Sequence, residues 1–176
     1  MSRTTNLREE LQSNNMMKQK GFSLIELLIV VAIILIIAAI AIPNLIRSKM
    51  AANESSAVAS LRTINTSEVT YQNTYPGTFA ALSSLGPGAA VCATPASANA
   101  CLIDNLLANA TTAATAKSGY MFTVTPGAAT YSSEAEPAAA GSSGTRGFCS
   151  DQNLVLYQVA TGAGFGTCVT SSATAL

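Results

Sequence analysis

Between Leu24 and Ile42 the chain places one polar side chain, Glu26, among apolar residues. A helix from Phe22 to Ile42, rising about 1.5 Å per residue, spans roughly 31 Å, close to the ~30 Å hydrocarbon core of a bilayer. The run is apolar on every side, so it cannot be a surface helix of a soluble protein, which needs a polar face. Lys18 and Lys20 stand just ahead of it. Positive charge beside a span stays in the cytoplasm, so the N-terminus is expected inside and the rest of the chain across the membrane. Cys92, Cys101, Cys149 and Cys168 all follow the span, on the side where disulfides persist.

Two plain readings meet this stretch first. A secretory signal peptide normally has an apolar region of ~7–15 residues followed by a small-x-small cleavage site. The run here is longer, and its nearest match, Ala39-Ile40-Ala41, is embedded in further apolar residues. A simple signal-anchor helix fits the length. Neither reading accounts for Glu26. A carboxylate inside a span costs up to about 3 kcal/mol on insertion scales, so it is expected to have a function and a partner.

Composition narrows the function classes. Hydrophobic residues make up 49% of the chain and charged residues 10%, with a formal net charge of zero. That zero hides an asymmetry of +2 over residues 1–21 and −2 over residues 22–176. No basic patch stands out, so no direct nucleic-acid site is evident. The chain has no histidine, hence lacks the commonest general base and metal ligand. No nucleophile–base pair or phosphate loop is visible either. The chain reads as a non-enzyme with no cofactor and no metal site.

The segment "KGFSLIELL", Lys20 to Leu28, resembles the N-terminal motif of type IV prepilins and of the related type II secretion pseudopilins. The close resemblance covers about residues 18–45; beyond that it is one of layout. In that superfamily a membrane aspartyl peptidase, the prepilin peptidase, cuts after the glycine on the cytoplasmic side and methylates the new N-terminus. The resemblance implies cleavage between Gly21 and Phe22, N-methylation of Phe22, Glu26 as the fifth mature residue, and Pro43 as the proline that interrupts the helix. It makes residues 1–21 a basic leader that is removed. A leader of that length is long for the family, and Met16 and Met17 suggest that translation begins at one of them.

With that cut, Glu26 acquires a physical role. An isolated carboxylate in an apolar phase is costly, and so is an isolated ammonium. In stacked subunits Glu26 of one can meet the Phe22 amine of the next. A buried ion pair adds little net stability but can fix register, which a uniformly apolar helix needs. A head-to-tail contact that does not close gives an open helical filament.

Past Pro43, which removes a backbone donor and is expected to kink the helix, helical spacing continues. Met50, Ala57, Leu61, Ile64 and Tyr71 fall on one stripe. The helix is expected to run to about Tyr71 and to stop at Tyr75-Pro76-Gly77. Residues 76–118 are rich in small residues, with a short helix expected near Cys101–Ala110. "YMFTVTPGAATYSS" reads as two strands about Pro126-Gly127, and "RGFCSDQNLVLYQVA" as a second hairpin turning at Asp151-Gln152-Asn153. "EPAAAGSSG", from Glu136, reads as a flexible loop, and the tail after Gly162 shows no element. The expected class is α+β: a long N-terminal helix, apolar in its first half, on a small antiparallel sheet of about four strands. The expected divisions are residues 1–21, 22–45, 46–75 and 76–176.

Four cysteines allow three pairings; Cys92–Cys101 and Cys149–Cys168 each close a local loop and are favoured. The second would resemble the disulfide-bounded loop of many pilins. Zinc is disfavoured, since there is no C-x-x-C and no His. Asn53, Asn65 and Asn109 head N-glycosylation patterns, discounted because Ser and Thr are so common here. Tyr71, Tyr75, Phe79, Tyr120 and Phe122 are expected in the core. Some pseudopilins bind calcium, but the acidic residues of this exported domain are too scattered for six to eight oxygen ligands.

The function expected from the resemblance is a type IV pilus subunit serving adhesion, motility or DNA uptake, with a pseudopilin of a short periplasmic filament as the alternative. Its partners would be further copies of itself, the prepilin peptidase, the inner-membrane assembly machinery and, before assembly, membrane lipid. It would sit in the bacterial inner membrane as a precursor and then in an extracellular pilus.

Overall fold

A computed structural model describes residues 21–88, 92, 94–160 and 174–176. The chain divides into two units, one ending at Ile42 and the other covering Pro43–Leu176. Helix α1, Leu24–Thr74, contributes to both and includes Pro43. Its first turn closes where Glu26 and Leu27 donate to the Ser23 carbonyl at 3.1 and 3.2 Å. Its end lies three residues beyond the expected Tyr71, because the Tyr75 N–H still reaches the Tyr71 carbonyl at 2.7 Å. Pro76 then has no donor to offer. Gly77 turns the chain with φ +135°, a conformation only glycine adopts cheaply.

In the first unit, residues 21–42 are exposed on all sides except at Ala38, which is half-buried. The second unit holds the core. Short helices α2, Leu82–Leu85, and α3, Asn105–Ala108, precede the sheet. The α3 N-terminus is capped by Asp104, whose Oδ1 accepts from the Leu107 N–H at 2.7 Å, which satisfies a donor the helix cannot. It is shorter than the Cys101–Ala110 stretch expected.

The sheet is an antiparallel meander in the order β1-β2-β3-β4-β5. Its strands are β1 Tyr120–Pro126, β2 Tyr131–Pro137, β3 Arg146–Asp151, β4 Leu156–Ala160 and β5 Thr174–Ala175. Both expected hairpins form, and the class is α+β, as a long apolar helix with an antiparallel sheet requires. Two expectations need correction. The sheet has five strands, because Thr174 and Ala175 pair with Gln158 and Tyr157. Those two small exposed residues have no alternation to betray them; backbone pairing alone makes the strand. Glu136 and Pro137, expected in a loop, complete β2 opposite Met121 and Tyr120.

Alternation sets the inner face. Tyr120, Phe122 and Val124 of β1 pair across to Pro137, Ala135 and Ser133, and Phe148 of β3 lies opposite Ala135. Tyr120, Phe122, Val124, Ala135 and Phe148 pack with Ala57, Leu61, Ile64 and Tyr71 of α1 in one buried cluster. Met50, the first residue of the expected stripe, is only half-buried. Of the expected core aromatics, Tyr71, Phe79, Tyr120 and Phe122 are buried and Tyr75 is partly so. The buried cluster also contains Tyr131 and Phe148, which were not anticipated.

Candidate functional site

Gly21, Phe22 and Ser23 precede the first residue of α1 and are exposed. Phe22 exposes 78% of its surface, and a Cβ placed on Gly21 would meet nothing within 4 Å. The Gly21–Phe22 peptide therefore lies in an exposed, non-helical stretch. Glu26 lies in the first turn of α1, where the positive end of the helix dipole favours a carboxylate. It is exposed and takes part in neither ion pair found among the described residues. Around it the helix is bare: Leu24, Ile25, Leu27 and Leu28 each expose more than half their surface. Leu24–Thr74 is long and apolar enough to cross a membrane, with a mean hydropathy of 3.3 over its most apolar window.

Cys92 and Cys101 form a disulfide with a Cα–Cα distance of 5.9 Å. Inside that loop Ala96 and Asn99 bridge each other, and Tyr71 of α1 donates to the Ser97 carbonyl at 2.8 Å. Cys149 is disulfide-bonded as well; Cys168 lies outside the described residues. No group of three or more His, Cys, Asp or Glu among the described residues is placed to hold a metal ion. The three sequon asparagines are engaged: Asn65 is buried and donates to Ser150, Asn53 donates to the Ser143 carbonyl, and Asn109 bonds to Asn105.

Sequence reasoning missed a row of polar pins joining α1 to the rest of the second unit. Glu54 accepts from the Thr145 N–H at 2.8 Å, the Thr145 hydroxyl at 2.9 Å and the Arg146 guanidinium at 2.6 and 2.9 Å. Burial pushes the Glu54 carboxyl up, but the Thr145 N–H and Arg146 outweigh that and hold it below its usual range. Eleven residues on, the Asn65 carbonyl accepts from the Tyr131 and Ser133 hydroxyls, both at 3.1 Å, and its amide donates to Ser150 at 2.8 Å. One turn further, Glu68 is fully buried, and its Oε2 accepts from the Ala80 N–H at 2.9 Å. Its Oε1 has no hydrogen-bond partner among the described residues. Positions 54, 61, 65 and 68 follow the spacing of the apolar stripe, the one signal that could have marked these polar residues as inward-facing.

Comparison with known proteins places these features. Residues 16–42 match the model of the prokaryotic N-terminal methylation motif. The chain is 47% identical over 74 residues to the type IV wide pilus major component PilA4 of Thermus thermophilus, across 40% of this chain and 56% of that protein. It is 46% identical over 54 residues to the type IV major pilin protein PilA of Myxococcus xanthus, across 31% of this chain and 24% of that protein. The chain thus spans about half the length of the first and a quarter of the second. No solved structure matches it. In its prokaryotic methylation motif at the head of a long helix, with an antiparallel sheet behind it, the chain is similar to type IV pilins.

Proposed function

We propose that the protein is the structural subunit of a type IV pilus filament, assembled by helix packing once a leader has been removed between Gly21 and Phe22. The observation that carries this is the helix surface from Leu24 to Ile42, fully apolar apart from Glu26 and exposed among the described residues. Such a surface must be covered by lipid or by other copies of itself. Cleavage frees an amine on Phe22, four residues before Glu26. Stacked helices then pair the amine of one copy with the Glu26 carboxylate of another, and the Leu, Ile and Val side chains supply the packing energy. Phe22 would also be the N-methylated residue. Pro43 leaves the Ala39 carbonyl without its usual helical donor, which makes that turn the natural place for a kink. The precursor is held in the inner membrane with its N-terminus in the cytoplasm. The prepilin peptidase and the assembly machinery are its processing partners, and adhesion, motility or DNA uptake are the tasks such a fibre serves.

Intact mass and N-terminal sequencing of protein sheared from cell surfaces test the proposal. A chain beginning at a methylated Phe22, recovered in long fibres, is the expected result. A processed chain confined to membrane and periplasm would make it a secretion pseudopilin instead. A chain that still carries Lys18 and Lys20 would overturn the filament reading.

A further inference from the structure

The stretch Pro43–Lys49 stands apart from both neighbours. The apolar run ends at Ile42, and past it the first half-buried residue of α1 is Met50 and the first buried one is Glu54. Between them Asn44, Leu45, Ile46, Arg47, Ser48 and Lys49 are all exposed, Leu45 by 69%. Two cations thus sit on bare helix, and neither is in an ion pair among the described residues. The next acid along the helix, Glu54, is already committed to Arg146 and Thr145. Arg47 and Lys49 are two residues apart, so at ~100° per residue they project from nearly opposite sides of the helix. One docked protein would meet one of them; a medium that surrounds the helix meets both. Arg and Lys near the exported end of a span also oppose the preference for positive charge inside, so their presence runs against the topology the leader sets.

We propose that Arg47 and Lys49 form a collar that binds the phosphates of anionic phospholipids in the outer leaflet of the membrane holding the unassembled subunit. The proposal rests on the reading that the apolar half of α1 lies in a bilayer before assembly. Arg47 lies five residues past Ile42, about 7 Å further along the helix axis. That places both cations among the headgroups when the apolar run fills the hydrocarbon. Guanidinium and ammonium groups at that depth attract anionic lipid by roughly fivefold each over neutral lipid. The collar fixes how deep the helix sits and enriches anionic lipid around it. Leaving the membrane for a filament then means surrendering those phosphates.

The chain has no tryptophan, so a single introduced one reports cleanly. The full chain carrying Leu45→Trp is reconstituted in vesicles that contain either brominated phosphatidylglycerol or brominated phosphatidylcholine at equal mole fraction. Several-fold stronger quenching by the brominated anionic lipid is expected, falling to parity when Arg47→Gln and Lys49→Gln are added. Lys18 and Lys20 precede the apolar run in the sequence and are kept in both variants. Equal quenching by both lipids in the parent would overturn the proposal while leaving the membrane reading intact. Anionic preference that survives the double substitution would overturn the assignment to Arg47 and Lys49. Absence of quenching by either lipid would overturn the membrane reading and the collar with it.

Discussion

At the scale of single residues, the sharpest consequence belongs to Glu68. Burial pushes its carboxyl up to about 7, only partly opposed by the Ala80 N–H. The folded chain therefore holds a proton that the unfolded chain releases near the ordinary carboxylate value. Stability is full below that ordinary value, falls as pH rises through it towards about 7, and levels off above. The loss is on the order of 3 kcal/mol across that interval. Thermal melts of the wild type from pH 5 to 8 should show this slope, and the Glu68→Gln variant should flatten it. A wild type with no slope would mean that Glu68 is solvated in solution. Asn65 gives a different signature. Its replacement by alanine strands the Tyr131 and Ser150 hydroxyls in a buried site and leaves Ser133 with only its 3.4 Å bond to the Ser150 carbonyl, costing about 1–3 kcal/mol in chemical denaturation. Neither residue announces itself in the sequence as buried, since Glu and Asn are usually exposed. Their spacing along the stripe is the sole hint, and it says which way they face rather than what they meet.

At the scale of elements, α1 divides its labour. Its first half is built for packing without direction, and the proposed pairing of Glu26 supplies the register. Glu26→Ala should leave the subunit folded and membrane-inserted, yet deplete surface fibres. Counting fibres by electron microscopy against the membrane pool of subunit separates the two effects, and undiminished fibres would remove Glu26 from assembly. Its second half is directional, pinned by Glu54 at one point and by Asn65 and Glu68 further on. The stretch that follows is closed by the Cys92–Cys101 bridge. Replacing both cysteines by serine should cost roughly 3 kcal/mol, read in urea. The strands with alternating Tyr, Phe and Val were legible, because period-two burial is written in the residues themselves. Strand β5 was not: two small residues adopt whatever backbone geometry their neighbour's edge offers.

At the scale of the whole molecule, every residue of the buried cluster lies beyond Pro43. A chain beginning at Pro43 should therefore fold as a soluble monomer with a cooperative melt, checked by size-exclusion chromatography and circular dichroism. Aggregation with native secondary structure would show that the apolar half also protects the sheet. The sequence alone determined the long helix, its membrane-grade first half and the α+β class. Those are local matters of hydropathy, spacing and turn chemistry, carried within a few residues of each other. Only the tertiary structure decided that Glu54 would hold Arg146, that Asn65 would satisfy three partners on the sheet, and that Glu68 would be buried with one oxygen unpaired among the described residues. These contacts join residues 12 to 92 positions apart. No local pattern encodes such pairs; they exist because the sheet folds back onto the helix and encloses whatever the helix presents there.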